Sequence, residues 1–391
     1  MKRFAHENPH TNLLNMQYKN LLGGLTPNQF LKQHWQKTPL LIPNSVATGN
    51  WLLSLDDLLE LSQNPMCSAR LVVRDQSEYR VIYGPMTKKM LHDLPHENWT
   101  LLVRGVNHAH PEVNKLLGLF SFMPYARLDD VMVSYATPGG SVGPHFDSYD
   151  VFLLQGDGSR RWQVSEPGSR EILPHDDLRI LKSFRPEGEC VVQTGDMLYL
   201  PPNFSHHGIA LEPCFTYSIG FHAPNFDHIK SEFLHYLDIQ LELSGFFQDK
   251  HRKATNLPGL IPTDLLTTIQ EVISKITWTE KNTLKFAGEF LTQLNINHSN
   301  DRKKPESKKN FLSQLTNFSY QIHPAIKFLY RGNLGFIAGL TFEIPKSDQA
   351  VIKQLANKRI IKGEIIKENK FLSDKLYQWM VEGYIEKMKV E

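Results

Sequence analysis

Residues 138–165 read PGGSVGPHFDSYDVFLLQGDGSRRWQVS. A glycine-rich run ends at Pro144, and two potential metal ligands, His145 and Asp147, follow at alternate positions ahead of the strand-like run VFLLQ at 151–155. In an extended chain residues i and i+2 project to the same face, so the imidazole and the carboxylate are expected side by side. A mixed nitrogen and oxygen pair needs a third donor. GDMLYLPPNFSHHG at 195–208 offers one, with His206 and His207 following a Pro-Pro turn at the end of a short apolar run. Two histidines and one carboxylate on one face of a metal make the facial triad of non-haem Fe(II) oxygenases, which leaves positions open for reactants. Strand alternation says only that one of the two histidines faces inward.

The surrounding texture predicts how such residues could meet. VMVSYAT (131–137), VFLLQ (151–155), RRWQVS (160–165), ECVVQT (189–194), MLYLPP (197–202) and FTYSIGF (215–221) are short runs rich in strand formers, punctuated by Gly, Pro and Asp. Many short strands at near-regular spacing argue for a sandwich or barrel. Inside one, residues 61 positions apart, as 145 and 206 are, can reach a common ion, because neighbouring strands lie about 5 Å apart. QGDGS (155–159) reads as a hairpin connection whose glycines supply positive φ, and TGD (194–196) as a second turn.

Outside this region LTPNQFLKQHW (25–35) predicts a helix capped by Thr26 with Pro27 in its first turn, and PLLIPN (39–44) a strand. After residue 224 the strand signal stops. FDHIKSEFLHYLDIQLEL (226–243), TDLLTTIQEVISKI (263–276) and TLKFAGEFLTQL (283–294) carry apolar residues at helical intervals. HSNDRKKPESKKN (298–310) reads as a charged linker, and FLSDKLYQWMVEGYIEKM (371–388) as a helix followed by a short strand.

Composition limits the class. The chain has 391 residues, 41% hydrophobic and 21% charged, which is ordinary for a globular protein able to bury a core. Its three cysteines form no CxxC pair, so neither a disulfide framework nor a zinc knuckle is expected, and a reducing, cytoplasmic compartment fits. MKRFAHENPHTNLL at the start lacks the apolar core of an export signal, and no apolar stretch approaches the length of a membrane span. Residues 301–391 hold 17 Lys+Arg against 10 Asp+Glu, while the chain as a whole carries only +2. That asymmetry marks a separate C-terminal module, whose lysines, such as Lys353, Lys358 and Lys362, read equally as a basic binding face or a solvated helix surface.

PGGSVGPHFDSYDVFLLQGDGSRRWQVS, GDMLYLPPNFSHHG and YSIGFHAPN, supported by FLKQHWQKTPLLIP and LLVRGVNHAHPEV, resemble the JmjC 2-oxoglutarate oxygenases, in particular the bacterial ribosomal oxygenases that hydroxylate an arginine of a large-subunit ribosomal protein. The resemblance implies an α+β chain: a double-stranded β-helix (jelly-roll, cupin-like) catalytic domain over 1–225, a helical dimerisation region over 226–300 and a winged-helix-like domain over 310–391. It implies His145, Asp147 and His206, rather than His207, as catalytic ligands of Fe(II). It implies Arg160 as the cation for the distal carboxylate of the cosubstrate 2-oxoglutarate, with Arg161 pointing away, and Ser134 beside that cosubstrate. Tyr149, Asp129 and Asp130 are candidates for the substrate rim. The implied reaction consumes O2, releases succinate and CO2, and leaves a hydroxyl group on a ribosomal protein, within a homodimer. Neither a membrane nor a nucleic-acid partner is predicted, although a basic winged helix is compatible with the latter. Two competing readings keep parts of this picture: a cupin-like metalloenzyme acting on a small molecule, and a non-catalytic module that binds ribosome or nucleic acid. The HxD pair and the arginine speak against the first, and the complete ligand set against the second.

Overall fold

All five side chains of Val151–Gln155 are buried although they alternate between two faces. Val151 and Leu153 pack with Trp162, Val192, Leu198 and Leu200, whereas Phe152 and Leu154 join Tyr199, Tyr217 and Phe221 in the principal core on the other side. A strand covered on both faces is apolar throughout, and this one runs through the middle of the strand-rich region. The computed structural model describes residues 20–46, 52–76, 78–175, 177–294, 306–367 and 369–389.

Twelve strands build this region: β1 (Leu40–Ile42), β2 (Ser68–Asp75), β3 (Glu78–Tyr83), β4 (Trp99–Arg104), β5 (Leu128–Ala136), β6 (His145–Phe146), β7 (Val151–Gln155), β8 (Arg160–Ser165), β9 (Gly188–Val192), β10 (Met197–Leu200), β11 (Ser205–Ala210) and β12 (Cys214–Phe221). They form an antiparallel eight-stranded sheet, ordered β1-β10-β7-β12-β5-β4-β2-β3, and a four-stranded sheet, ordered β6-β11-β8-β9. The apolar side chains shared by β7, β8, β9 and β10 fill the space between the two sheets. This is the cupin-like arrangement of antiparallel sheets and helices that the sequence predicted.

One local expectation is overturned. Residues 155–159 do not close a hairpin: β7 pairs with β10 and β12, β8 pairs with β11 and β9, and the segment carries the chain from one sheet to the other. A sheet-to-sheet corner needs the same positive φ as a hairpin, which is why the glycines could not separate the two. Gly158 has φ 76°, and a Cβ there would lie 2.3 Å from the Pro213 carbonyl oxygen. The 194–196 turn likewise crosses between sheets, from β9 to β10.

The first helix forms as read. Pro27–Gln33 is closed by a capping box, in which Thr26 Oγ1 accepts from the Gln29 backbone N–H and Gln29 Oε1 accepts from that of Thr26. Its fully buried Phe30 rests edge-on against Tyr199, ring centroids 5.0 Å apart. Beyond β12 come the helices Phe226–Gln240, Thr263–Ser274 and Glu280–Thr292. Of the expected linker 298–310, residues 298–305 lie outside those described, and its end departs from expectation: Ser307 caps a short helix, Lys308–Ser313. The C-terminal part has its own core around Tyr320, Phe328, Leu355 and Trp379, between two three-stranded antiparallel sheets and the helices Gln349–Lys358 and Lys370–Val381. It touches the strand-rich region where Arg359 lies over Tyr125, 5.4 Å from the ring centre, and where Tyr125 Oη donates to the Asn357 carbonyl at 3.1 Å. No helix among the described residues is long and apolar enough to cross a membrane.

Candidate metal centre

His145 opens β6 and is paired in register with His206 on β11, so two imidazoles project from neighbouring strands of the smaller sheet with ring centroids 4.3 Å apart. The left-handed backbone of Gly143, φ 80°, turns the chain into β6, and its carbonyl faces His145 Nδ1 at 2.9 Å. The Phe204 carbonyl faces His206 Nδ1 at 3.0 Å. A carbonyl can only accept, so each Nδ1 carries the proton and each Nε2 keeps its lone pair for a cation. Burial, with the neighbouring His145 imidazole, pushes His206 down to about 4, against the pull of Asp147, so it is neutral at physiological pH.

Asp147 arrives by a different route from the one alternation predicts. β6 ends at Phe146, and Asp147 is the first residue past it. Its backbone carbonyl accepts from the Asn203 N–H at 2.7 Å, which ties it to the turn preceding His206. Its carboxylate lies 3.7 Å from His206 Nε2. The ligand atoms of His145, Asp147 and His206 all lie within 4.8 Å of one another, the one such cluster among the described residues. Two imidazole nitrogens and one carboxylate oxygen suit a divalent ion such as Fe(II). His207 stands apart, half-buried with its ring edge-on to Phe184, centroids 6.2 Å apart.

The cluster opens on a cavity of about 350 Å³ between the sheets, lined in part by Thr100, Ser134, Leu153, Arg160, Trp162 and Thr216. Arg160, first in β8, is 5% exposed, yet among the described residues no carboxylate pairs with it. Its Nη2 meets only the Cys214 sulfur at 3.7 Å, its Nε has no partner, and its guanidinium lies 5.7 Å from the Trp162 ring. A buried cation without an anion is costly, and the adjoining space can hold one. Ser134 on β5 also lines this space, while Arg161 turns away toward Glu189, 4.0 Å distant.

Sequence reasoning missed two residues. Thr100 Oγ1 is buried in the cavity wall without a hydrogen-bond partner, and its one trace in the sequence is a hydroxyl residue inside the apolar run of β4. Arg104, at the end of β4, occupies the acidic rim. Its Nε and Nη2 donate to Asp130 at 3.2 and 3.3 Å, and Asp129 lies 3.6 Å away. Tyr149 lines the same mouth, its hydroxyl pushed upward by burial and by the Asp147 charge.

A profile of the JmjC domain matches residues 115–229. The ribosomal protein uL16 3-hydroxylase of Escherichia coli is 35% identical over 279 residues, covering 71% of this chain and 74% of that one. A probable ribosomal oxygenase of Haemophilus influenzae is 40% identical over 233 residues, 57% of this chain and 56% of that protein. Among solved structures, E. coli YcfD superposes with a TM-score of 0.81 at 28% identity, covering 93% of this chain and 98% of that one. YcfD in complex with cobalt and 2-oxoglutarate gives 0.78 at 27% identity over the same shares. With its sheets, its paired histidines and these relatives in agreement, the chain belongs to the JmjC-domain ribosomal oxygenases.

Proposed function

We propose that this protein is an Fe(II)- and 2-oxoglutarate-dependent oxygenase that hydroxylates an arginine side chain of a large-subunit ribosomal protein. The observation that carries the reading is a two-histidine, one-carboxylate cluster opening on a cavity that is also lined by a buried guanidinium with no carboxylate partner among the described residues. His145, Asp147 and His206 hold the metal. Arg160 receives the distal carboxylate of the cosubstrate through charge-assisted hydrogen bonds, and the Ser134 and Thr100 hydroxyls, which line the same cavity from the larger sheet, add neutral ones. Leu153 and Trp162 add apolar surface to the cavity lining. Bound together, metal and cosubstrate supply an O2-dependent oxidation that releases succinate and CO2.

The choice of arginine is supported by the mouth of the site. Asp129, Asp130 and Tyr149 line it, and Asp130 already accepts two hydrogen bonds from the Arg104 guanidinium, the same chemistry an incoming arginine would offer. The relative named as a uL16 3-hydroxylase supports a ribosomal protein as the substrate, and a cytoplasmic site of action is part of the same proposal. Incubating purified protein with Fe(II), ascorbate, 2-oxoglutarate and uL16, then measuring succinate and mapping the added oxygen by mass spectrometry, tests it. No succinate with any ribosomal protein overturns the oxygenase reading, and an oxygen on another residue type overturns the arginine.

The same proposal assigns residues 1–225 to catalysis, 226–300 to homodimerisation and 310–391 to a winged-helix-like domain. Exposed apolar side chains along the helices after β12, among them Leu266, Ile269 and Ile273, support a second copy as the partner of that face.

A further inference from the structure

Of the three clustered donors, Asp147 alone lies outside a strand. The histidines are held by the ladder between β6 and β11 and by their Nδ1 contacts. The carboxylate rides on a four-residue loop, 147–150, that leaves the smaller sheet and enters β7 of the larger one. Something else must fix that loop if the donor is to stay at the centre.

Its far end is anchored by Asp150, which is fully buried. Asp150 Oδ1 accepts from Tyr199 Oη at 2.6 Å. Oδ2 accepts from Gln36 Nε2 at 2.9 Å and faces Arg127 Nη2 at 3.4 Å. The Asp150 carbonyl accepts from the Phe221 N–H at 3.1 Å. These partners come from four separate segments: the end of the first helix, the approach to β5, β10 and the end of β12. Gln36 adopts a left-handed backbone, φ 56°, unusual for a residue other than glycine, and its own N–H donates to Tyr199 Oη at 2.8 Å. Trp35 packs flat on Tyr199 and receives Arg127 over its ring, 5.6 Å from the centre.

The position of this carboxylate in the chain gives it a role. Asp150 is three residues after Asp147, and Tyr199 is seven residues before His206. One buried anion therefore ties together the two segments that must bring their donors to a common point. Burying a charge is a poor way to gain stability, since well-packed apolar groups serve as well, but it fixes geometry through directional bonds to several elements at once.

We propose that Asp150 is a positioning residue for the metal centre, holding the Asp147 loop in register with the His206 strand through Tyr199, Gln36 and Arg127. The inference rests on the three donors binding a divalent ion, and its test separates the two ideas. Co(II) alone is titrated into the full chain, following its visible absorption, and melting temperature is recorded for each variant. Wild type should bind Co(II); failure there sinks the metal centre itself. Asp150→Ala should weaken Co(II) binding about 10- to 100-fold, as loss of a group that orients a ligand does, and alter the absorption bands. Tyr199→Phe, which removes a single hydroxyl and keeps the packing, should shift affinity in the same direction by less. Leu71→Ala, on β2 with its side chain in the principal core and not lining the cavity, should lower melting temperature and leave Co(II) affinity unchanged. If wild type binds Co(II) and both Asp150→Ala and Tyr199→Phe bind it as tightly, or if Leu71→Ala weakens it equally, the positioning role is wrong.

Discussion

Between the two sheets, Arg160 keeps a charge out of water with no anion among the described residues against it. In the helical arm after β12, Ile273 is 59% exposed and Phe246, in the segment between two of its helices, 97%, with no described residue covering them. The two regions depart from ordinary burial in opposite senses: polar groups lack partners in the interior, and apolar groups lack cover on the surface. Each departure names the chemistry of its missing complement. The cavity calls for a small anion beside a cation, and the helical arm for another apolar protein face. Because the complements differ, damage to one region should leave the other's function intact, and that independence can be tested.

The largest effect is expected at the ligand cluster. His206→Ala removes a donor that is buried, neutral and aimed at Asp147, and metal affinity and succinate formation should both fall by at least about 100-fold, more than the loss of a supporting group causes. Sedimentation of this variant should match wild type. A change in assembly state would mean that the two regions are not separate.

Arg160→Ala comes next. The guanidinium offers charge-assisted hydrogen bonds worth about 1.5–3 kcal/mol, so the 2-oxoglutarate KM should rise roughly 10- to 100-fold, with Co(II) affinity near wild type. Arg161→Ala removes only a partly exposed contact to Glu189 at 4.0 Å and should leave KM within about twofold. Equal effects from the two would mean that Arg160 is not the cosubstrate's cation. On the arm, Ile269→Asp with Ile273→Asp places two charges on the exposed apolar face of Thr263–Ser274. Wild type should sediment as a dimer and this variant as a monomer whose Co(II) affinity is unchanged; a monomeric wild type would refute the assignment of that face.

Legibility differed between the regions for physical reasons. The strands, the capped first helix and the helices after residue 224 were readable because period and capping are local properties of the chain. The ligand cluster was half readable. Alternation paired His145 with Asp147, yet β6 stops at Phe146 and Asp147 is brought to the centre by the Asn203 contact and the Asp150 anchor instead. Thr100, Arg104 and Asp150 left no clear local signal, since each takes its role from residues 23 or more positions away, such as Arg127, Asp130, Ala136 and Tyr199. QGDGS misled because a hairpin and a crossing between sheets make the same demand on glycine. The preference for His206 over His207 came from family resemblance, not from the pattern.

That last choice leads to the smallest predicted effect. A one-residue slip of β11 would exchange the faces of His206 and His207 without altering composition or length, so the two histidines are each other's control. His207 Nε2 is buried without a hydrogen-bond partner, and its ring lies against Phe184. Replacing it with leucine removes an unsatisfied polar atom and keeps an apolar contact, a change that should be close to neutral. His207→Leu should therefore hold Co(II) affinity within about threefold of wild type and leave melting temperature unchanged or slightly higher. If it instead weakens Co(II) as much as His206→Ala does, β11 is paired one residue out of register. The cavity would then face the wrong histidine, and the contrast between a polar interior awaiting a ligand and an apolar arm awaiting a protein would lose its first half.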